Sequence, residues 1–363
     1  MRKRGPNHGA GRWTGFLPCL LALCLFCAGA RGLELRGGKY RRPEIWLCPN
    51  GEHVLDLIDR TKPWRNVASR LAGVKLYIGT IKNTPDQKLA ALAYLLRRYR
   101  LQVSIECAGT QTPDWGDEAG ERTARQHGMI FRKWLRLGGR IDYLDMDGPI
   151  RRLLGHLGKG RKPRQPFTSY DRCARELVDF MRETSRQFGG VRFFLLTNFP
   201  NWGYDGDVSY HARGPKKQDY GDYREVLATV LARVRAARAP LVGITVDNPY
   251  EYLVGEHKSV NLKDPRKVDW LGRVRALEDL VHAQRLQFNL IVNSERGGST
   301  SDEEFYRRTL LMLKTYYEAG GRPERIIIQS WYKYPVTVVP ETAPHSMTAL
   351  VKAAMDYLKH PGR

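Results

Sequence analysis

The chain has 363 residues, is 42% hydrophobic and carries a formal net charge of +22 with six cysteines. That length admits one barrel or two average domains, and the three widely spaced cysteines beyond residue 32 do not make a disulfide framework. Five of the sixty Lys and Arg residues, and no Asp or Glu, precede residue 33, so +17 stays with the remainder. The excess fits an acidic polysaccharide, nucleic acid or an anionic surface, but an Arg-rich proteome with no specific partner is the better account of it.

Residues 1–32 read as a signal peptide ahead of a single domain over 33–363. MRKRGPNHGAGRW is a basic leader, and Thr14 to Ala30 is an apolar core too short to span a bilayer and interrupted by Pro18. Ala28, Gly29 and Ala30 offer a cleavage site, which predicts a secreted or periplasmic protein beginning between Arg31 and Leu35. A lipoprotein at Cys24 or Cys27 is the lesser alternative, because Leu23 and Phe26 are bulkier than a lipid-attachment site accepts. No later run approaches about 18 apolar residues, so no transmembrane span is expected. Three cysteines remain, Cys48, Cys107 and Cys173, and core packing rather than pairing is expected of them.

From residue 44 strands and helices alternate. The first strand is EIWLCPN from Glu44, followed by a helical segment over Trp64 to Leu71. The second is VKLYIGTI (Val74 to Ile81) with a helix from Pro85. The third is LQVSIECAG (Leu101 to Gly109), before a long helix over Glu118 to Leu137. The fourth is IDYLDMDGPI (Ile141 to Ile150), whose basic, Gly- and Pro-rich loop Arg151 to Gln165 predicts an exposed, mobile segment. A helix over Tyr170 to Gln187 leads to the fifth strand, VRFFLLTNFPNW (Val191 to Trp202). A polar and aromatic loop, Gly203 to Asp222, precedes the helix Tyr223 to Ala237. The sixth strand is LVGITVDNPYEYL (Leu241 to Leu253), with a helix over Asp269 to Gln284. The seventh is LQFNLIVNSERGG (Leu286 to Gly298), with a helix over Asp302 to Ala319 that Ser301 and Glu304 open as a capping box. The eighth is RIIIQSWYKYP (Arg325 to Pro335), and a helix over Met347 to Leu358 closes the chain.

Runs such as LYIG, FFLL, NLIV and RIII are continuous rather than alternating, as strands buried on both faces should be. Eight strand–helix units joined by right-handed crossovers predict an α/β fold, a single (β/α)8 TIM barrel. A doubly wound open sheet is the runner-up. It would carry a Gly-rich phosphate turn after the first strand, and CPNGEH is not one.

In such a barrel the chemistry sits at the C-terminal strand ends. Those positions hold Glu106, Asp145, Asp147, Asn198, Trp202, Asp247, Tyr250, Asn293, Glu295, Gln329, Trp331 and Tyr332. Carboxylates supply acid, base or nucleophile, amides bond hydroxyls, and aromatic faces stack on pyranose rings. Asp145 serves equally well as a structural carboxylate, and Glu106, a charge in an apolar run, needs a partner. Histidine is scarce at these ends and no GxSxG occurs, which argues against a His-rich metal site or a Ser-His-Asp hydrolase.

A barrel with strand-end carboxylates and Trp331 on its last strand resembles the glycoside hydrolase superfamily. DYLDMDGP is similar to the chitinase-type DxxDxDxE signature at Asp142, Asp145 and Asp147, but Pro149 stands where that signature has its acid/base Glu. A retaining-hydrolase pattern with groups on strands four and seven resembles Asp147 and Glu295, without the usual Asn-Glu pair on strand four. An α-galactosidase-type pattern on strands four and six resembles Asp147 and Asp247. The resemblance implies a glycoside hydrolase cleaving a poly- or oligosaccharide, with Asp147 and Glu295 as the principal pair and Asp247 as competitor. Glu106, Asp145, Asn198, Trp202, Tyr250, Asn293, Gln329, Trp331 and Tyr332 are expected to bind substrate. The expected partner is a carbohydrate, neutral or anionic, with no nucleic acid, cofactor or metal. Two alternatives stay open. One is a non-catalytic carbohydrate- or polyanion-binding barrel. The other is a metal-dependent hydrolase or lyase with a hard cation on Glu106, Asp145, Asp147 and Asp247.

Overall fold

A computed structural model describes residues 42–155, 163–206, 208–211, 220–259 and 262–360. The expected signal peptide lies outside the described residues, as do parts of the loops after the fourth and fifth strands. Eight strands form a closed parallel barrel in chain order, so the predicted fold is the observed one. They are β1 (Glu44–Cys48), β2 (Gly73–Tyr77), β3 (Gln102–Cys107), β4 (Tyr143–Asp147), β5 (Arg192–Asn198), β6 (Leu241–Asp247), β7 (Gln287–Val292) and β8 (Arg325–Gln329). β8 closes on β1 in register from Glu44 against Arg325 to Cys48 against Gln329.

Each strand is largely buried on both faces, as the strands of a closed barrel wrapped in helices must be. One face packs on the helical shell. The other fills the barrel with Trp46, Cys48, Tyr143, Phe194, Leu196, Ile291 and Ile327. The N-terminal end is plugged by Arg325, whose guanidinium lies 4.1, 4.5 and 4.8 Å from the rings of Trp46, Tyr143 and Phe194 and pairs with Glu44 at 2.9 Å. Gly73 makes room for this plug, since a Cβ there would stand 2.6 Å from the Trp46 ring. Conserving the barrel's end-to-end packing at Trp46 is worth about 3–5 kcal/mol against truncation to alanine. Cys48, Cys107 and Cys173 are buried and form no disulfide among the described residues, in keeping with core packing.

Three strands are shorter than the apolar runs suggested. β2 stops at Tyr77 and the chain turns directly into a helix, Ile78–Asn83. β7 stops at Val292 because Ser294 caps the helix Glu295–Thr300, its hydroxyl accepting from the Gly297 amide at 2.8 Å. β8 ends at Gln329, leaving Trp331 and Tyr332 in the following loop. A short apolar run does not distinguish strand from buried helix by periodicity. At Ser301 the capping hydroxyl accepts from Glu304 N as predicted, but the Glu304 carboxylate turns to Arg307 and Arg308 at 2.7 and 2.6 Å. Among the described residues no helix is long and apolar enough to cross a membrane.

Candidate active site

Side chains alternate across a strand, so the residues that continue the barrel-filling face toward the C-terminal ends converge on its mouth. They are Lys75 and Tyr77 on β2, Glu106 on β3, Asp145 and Asp147 on β4, Asn198 on β5, Asp247 on β6, Asn293 just past β7 and Gln329 on β8.

Lys75 stands at the centre. It is fully buried, and its Nζ lies 2.7 Å from Glu106 Oε2 and 2.7 Å from Asp145 Oδ2. Gln329 Nε2 donates to the same Glu106 oxygen at 3.1 Å. Burial works against the ammonium, but the two carboxylates outweigh it and hold the lysine above its ordinary range. Glu106 is pushed up by burial, against the pull of Lys75 and with help from Asp147. Lys75 is therefore a fixed cation that neutralises and orients two carboxylates.

Asp147 is held from its own loop. Arg152 Nη2 donates to Asp147 Oδ2 at 2.6 Å and Arg152 Nε to the Asp147 carbonyl at 3.1 Å, while Arg151 Nη2 stands 3.9 Å from Oδ1. Burial would raise the Asp147 carboxyl, but Arg152 and Arg151 overcome it and the group titrates below the usual carboxylate range. Both arginines belong to the helix Pro149–Leu153, entered through Gly148 at φ +52° with Pro149 in the first turn. The segment expected to be an exposed mobile loop thus begins as a helical turn that lays its first two arginines on β4. Pro149, standing where the chitinase-type signature has its acid, is a buried helix opener.

Asp247 has the opposite surroundings. Asn293 Nδ2 donates to Oδ1 at 3.2 Å and Asn198 Nδ2 to Oδ2 at 3.4 Å. No ion pair reaches it among the described residues. Burial pushes its carboxyl up to about 7, with the Asn293 hydrogen bond opposing and Glu106 adding to the rise. Asp147 and Asp247, from alternate strands, are thus driven apart in acidity.

Glu295 lies one step further out, as the first residue of its short helix. Tyr252 OH donates to it at 3.0 Å and His257 Nε2 lies 3.4 Å away, the His257 ring stacked on Tyr252 at 4.2 Å. Hydrogen bonding between them lowers Glu295 and raises His257. Beneath it Glu251 accepts from Ser294 Oγ at 2.6 Å and from the Glu295 amide at 3.0 Å, which fastens the chain after β7 to the chain after β6.

No family model matches the sequence, and no curated protein matches it. Solved structures do. A psychrophilic glycoside hydrolase family 10 endo-β-1,4-xylanase is similar with a TM-score of 0.46 at 10% identity, over 80% of this chain and 86% of that one. D-psicose 3-epimerase from Clostridium cellulolyticum H10 gives 0.45 at 9% identity, over 87% and 98%. D-allulose 3-epimerase from Methylomonas sp. gives 0.45 at 12% identity, over 89% and 98%. At such identities nothing about the chemistry of this site is carried across.

Of the sequence-derived candidates, the structure gathers Glu106, Asp145, Asp147, Asn198, Asp247, Asn293 and Gln329 at the mouth. Trp331 is 48% exposed in the loop after β8, its ring centroid 4.4 Å from that of buried Tyr332. Two candidates lie apart from this cluster. Trp202 is buried against Tyr220 and Tyr223, and Tyr250 is buried in the shell beneath Arg308. Their short helical segments, Phe199–Asn201 and Tyr250–Leu253, turn both rings away from the strand direction into helix packing. Sequence reasoning missed Lys75, Arg151, Arg152, Tyr252 and His257. Lys75 carried a usable signal, since a lysine in an apolar run needs an anion as surely as Glu106 needs a cation. Among the described residues no three His, Cys, Asp or Glu side chains are grouped to hold a metal.

Proposed function

We propose that the barrel is a glycoside hydrolase and that Asp247 and Asp147 are its carboxylate pair. The observation that carries this reading is their contrast. One inward carboxylate is held by Arg152 through a single oxygen, and the other is buried between two neutral amides. Environments that push two carboxyls apart assign acid and base. Asp247, protonated up to about pH 7, gives its proton to the glycosidic oxygen as the bond to the leaving group breaks. Asp147, ionised and anchored through Oδ2, presents Oδ1 to the anomeric carbon or to the water that attacks it.

Buried polar atoms without hydrogen bonds support a polyhydroxylated ligand. Asp145 Oδ1, Asn293 Oδ1, Gln329 Oε1 and Tyr332 OH are in that state among the described residues, and sugar hydroxyls would satisfy them. Trp331 offers a ring for stacking at the rim. Glu295, half-exposed and engaged by Tyr252 and His257, serves binding in this reading rather than bond cleavage. A metal-dependent reaction is less favoured, because Lys75 already neutralises two of the four carboxylates it would need. We read residues 1–32 as a secretory signal, which N-terminal sequencing of the exported protein would test.

Role assignment is tested with aryl glycosides of graded leaving group. Asp247→Asn should keep turnover on dinitrophenyl glycosides while losing it on alkyl ones, and Asp147→Gly should be rescued by azide. Loss independent of leaving group, with no azide adduct, would sink the assignment.

A further inference from the structure

We propose that the sugar meeting Asp147 is acidic and that Arg151 binds its anionic group. The proposal rests on the hydrolase reading for where the sugar sits, and deepens it by naming the substrate class.

The other cations of the mouth are engaged. Lys75 is divided between Glu106 and Asp145, and Arg152 is on Asp147. Arg151 differs. Its side chain is only 11% exposed, yet its nearest carboxylate oxygen, Asp147 Oδ1, stands 3.9 Å away, beyond hydrogen-bonding distance. Its Nε is buried with no hydrogen-bond partner among the described residues. The guanidinium folds back over Gly148, where a Cβ would stand 3.0 Å from that Nε and 3.1 Å from Nη2, so a larger residue at 148 would displace it.

A guanidinium withdrawn from water normally has its donors met by an anion, because the fork is always charged and desolvation is costly. Asp147 does not meet them, since its Oδ2 and carbonyl are held by Arg152. Among the described residues the titratable groups that reach Arg151 are the carboxyls of Asp147 and Asp247, the guanidinium of Arg152 and the neutral phenol of Tyr220, with His211 also within its field. It therefore stands 3.9 Å from Asp147 Oδ1, with its buried Nε free to donate among the described residues. A carboxylate or an ester of sulfate or phosphate on the sugar would take a bidentate bond there. The net charge of +17 on residues 33–363 would draw such polymers toward the surface.

Oligomers of galacturonate, glucuronate and mannuronate, each with its methyl ester, separate charge from shape. Sulfated and phosphorylated oligohexoses with their unesterified parents form a second arm that distinguishes the anion's source. Titration calorimetry on the full chain should show at least one charged member binding about ten- to a hundred-fold more tightly than its neutral twin. Arg151→Ala should abolish that preference, so that charged and neutral twins bind alike, and Arg151→Lys should restore part of it. Should Arg151→Ala fail to fold by circular dichroism, Arg151→Gln and the salt dependence of wild-type binding take its place, with affinity for the charged member alone falling as salt rises. Equal binding of charged and neutral twins, binding of neither, or a preference that survives in Arg151→Ala overturns the proposal. Cleavage of neutral glycans without acid preference would leave the hydrolase reading standing. Acid-selective, Arg151-dependent binding without cleavage of any sugar would remove the hydrolase reading alone.

Discussion

Lys75 Nζ lies 2.7 Å from Asp145 Oδ2, and neither side chain touches water. An ammonium enclosed in this way fixes the carboxylates around it, and removing it leaves Glu106 and Asp145 as uncompensated buried charges. Lys75→Met should therefore destabilise the fold by about 3–5 kcal/mol, read from urea denaturation midpoints. Adding Glu106→Gln and Asp145→Asn to Lys75→Met should recover much of that loss, since the stranded charges go with their partner. A Lys75→Met protein as stable as wild type would show that the triad is not the buried network described.

Asp247 ties activity and stability to pH in one direction. Its folded carboxyl titrates at about 7 and its unfolded one near the ordinary Asp value of about 3.9. Between those values the folded state binds more protons, so this group's contribution to stability is fully present below about pH 4 and is lost as pH rises to about 7. Asp247→Asn should remove that dependence, and between pH 4 and 8 the wild type should lose roughly 2 kcal/mol or more relative to the variant. Activity should fall on the alkaline side near pH 7, where the acid loses its proton. The acid limb should lie below the usual carboxylate range, where Arg152 and Arg151 keep Asp147 ionised. Thermal unfolding and initial rates from pH 3 to 9 check both halves.

The barrel was legible because eight apolar runs recur between amphipathic helices, and only parallel strands buried on both faces need such runs. The mouth was legible where a strand ends in a polar side chain of the right parity, as at Glu106, Asp147, Asp247 and Gln329. Three features were not. Lys75 was hidden inside VKLYIG, where the apolar neighbours that bury it also define the strand. Arg151 and Arg152 looked like solvated loop because basic, Gly-rich composition does not reveal that Gly148 turns the chain back over β4. Trp202, Tyr250 and Glu295 follow strand ends that turn helical sooner than their apolar runs suggest, which rotates each side chain off the barrel axis.

Trp331 separates binding from folding. Its ring is 48% exposed and rests on Tyr332, so Trp331→Ala should change stability by less than about 0.5 kcal/mol. Loss of one stacking face should raise KM for oligosaccharides several-fold, corresponding to about 0.5–1.5 kcal/mol, with kcat little altered. Unchanged KM across oligosaccharides of increasing length would remove Trp331 from the binding surface.

The central claim is that Asp147 and Asp247 break a glycosidic bond together. The direct measurement is release of reducing ends from a panel of neutral and acidic polysaccharides by wild type, Asp147→Asn, Asp247→Asn and Glu295→Gln, each confirmed folded. Wild type should cleave at least one member. Each aspartate variant should lose about a hundred- to ten-thousand-fold in rate, and Glu295→Gln should lose far less. Full activity in either aspartate variant, or a loss in Glu295→Gln as large as theirs, would contradict it.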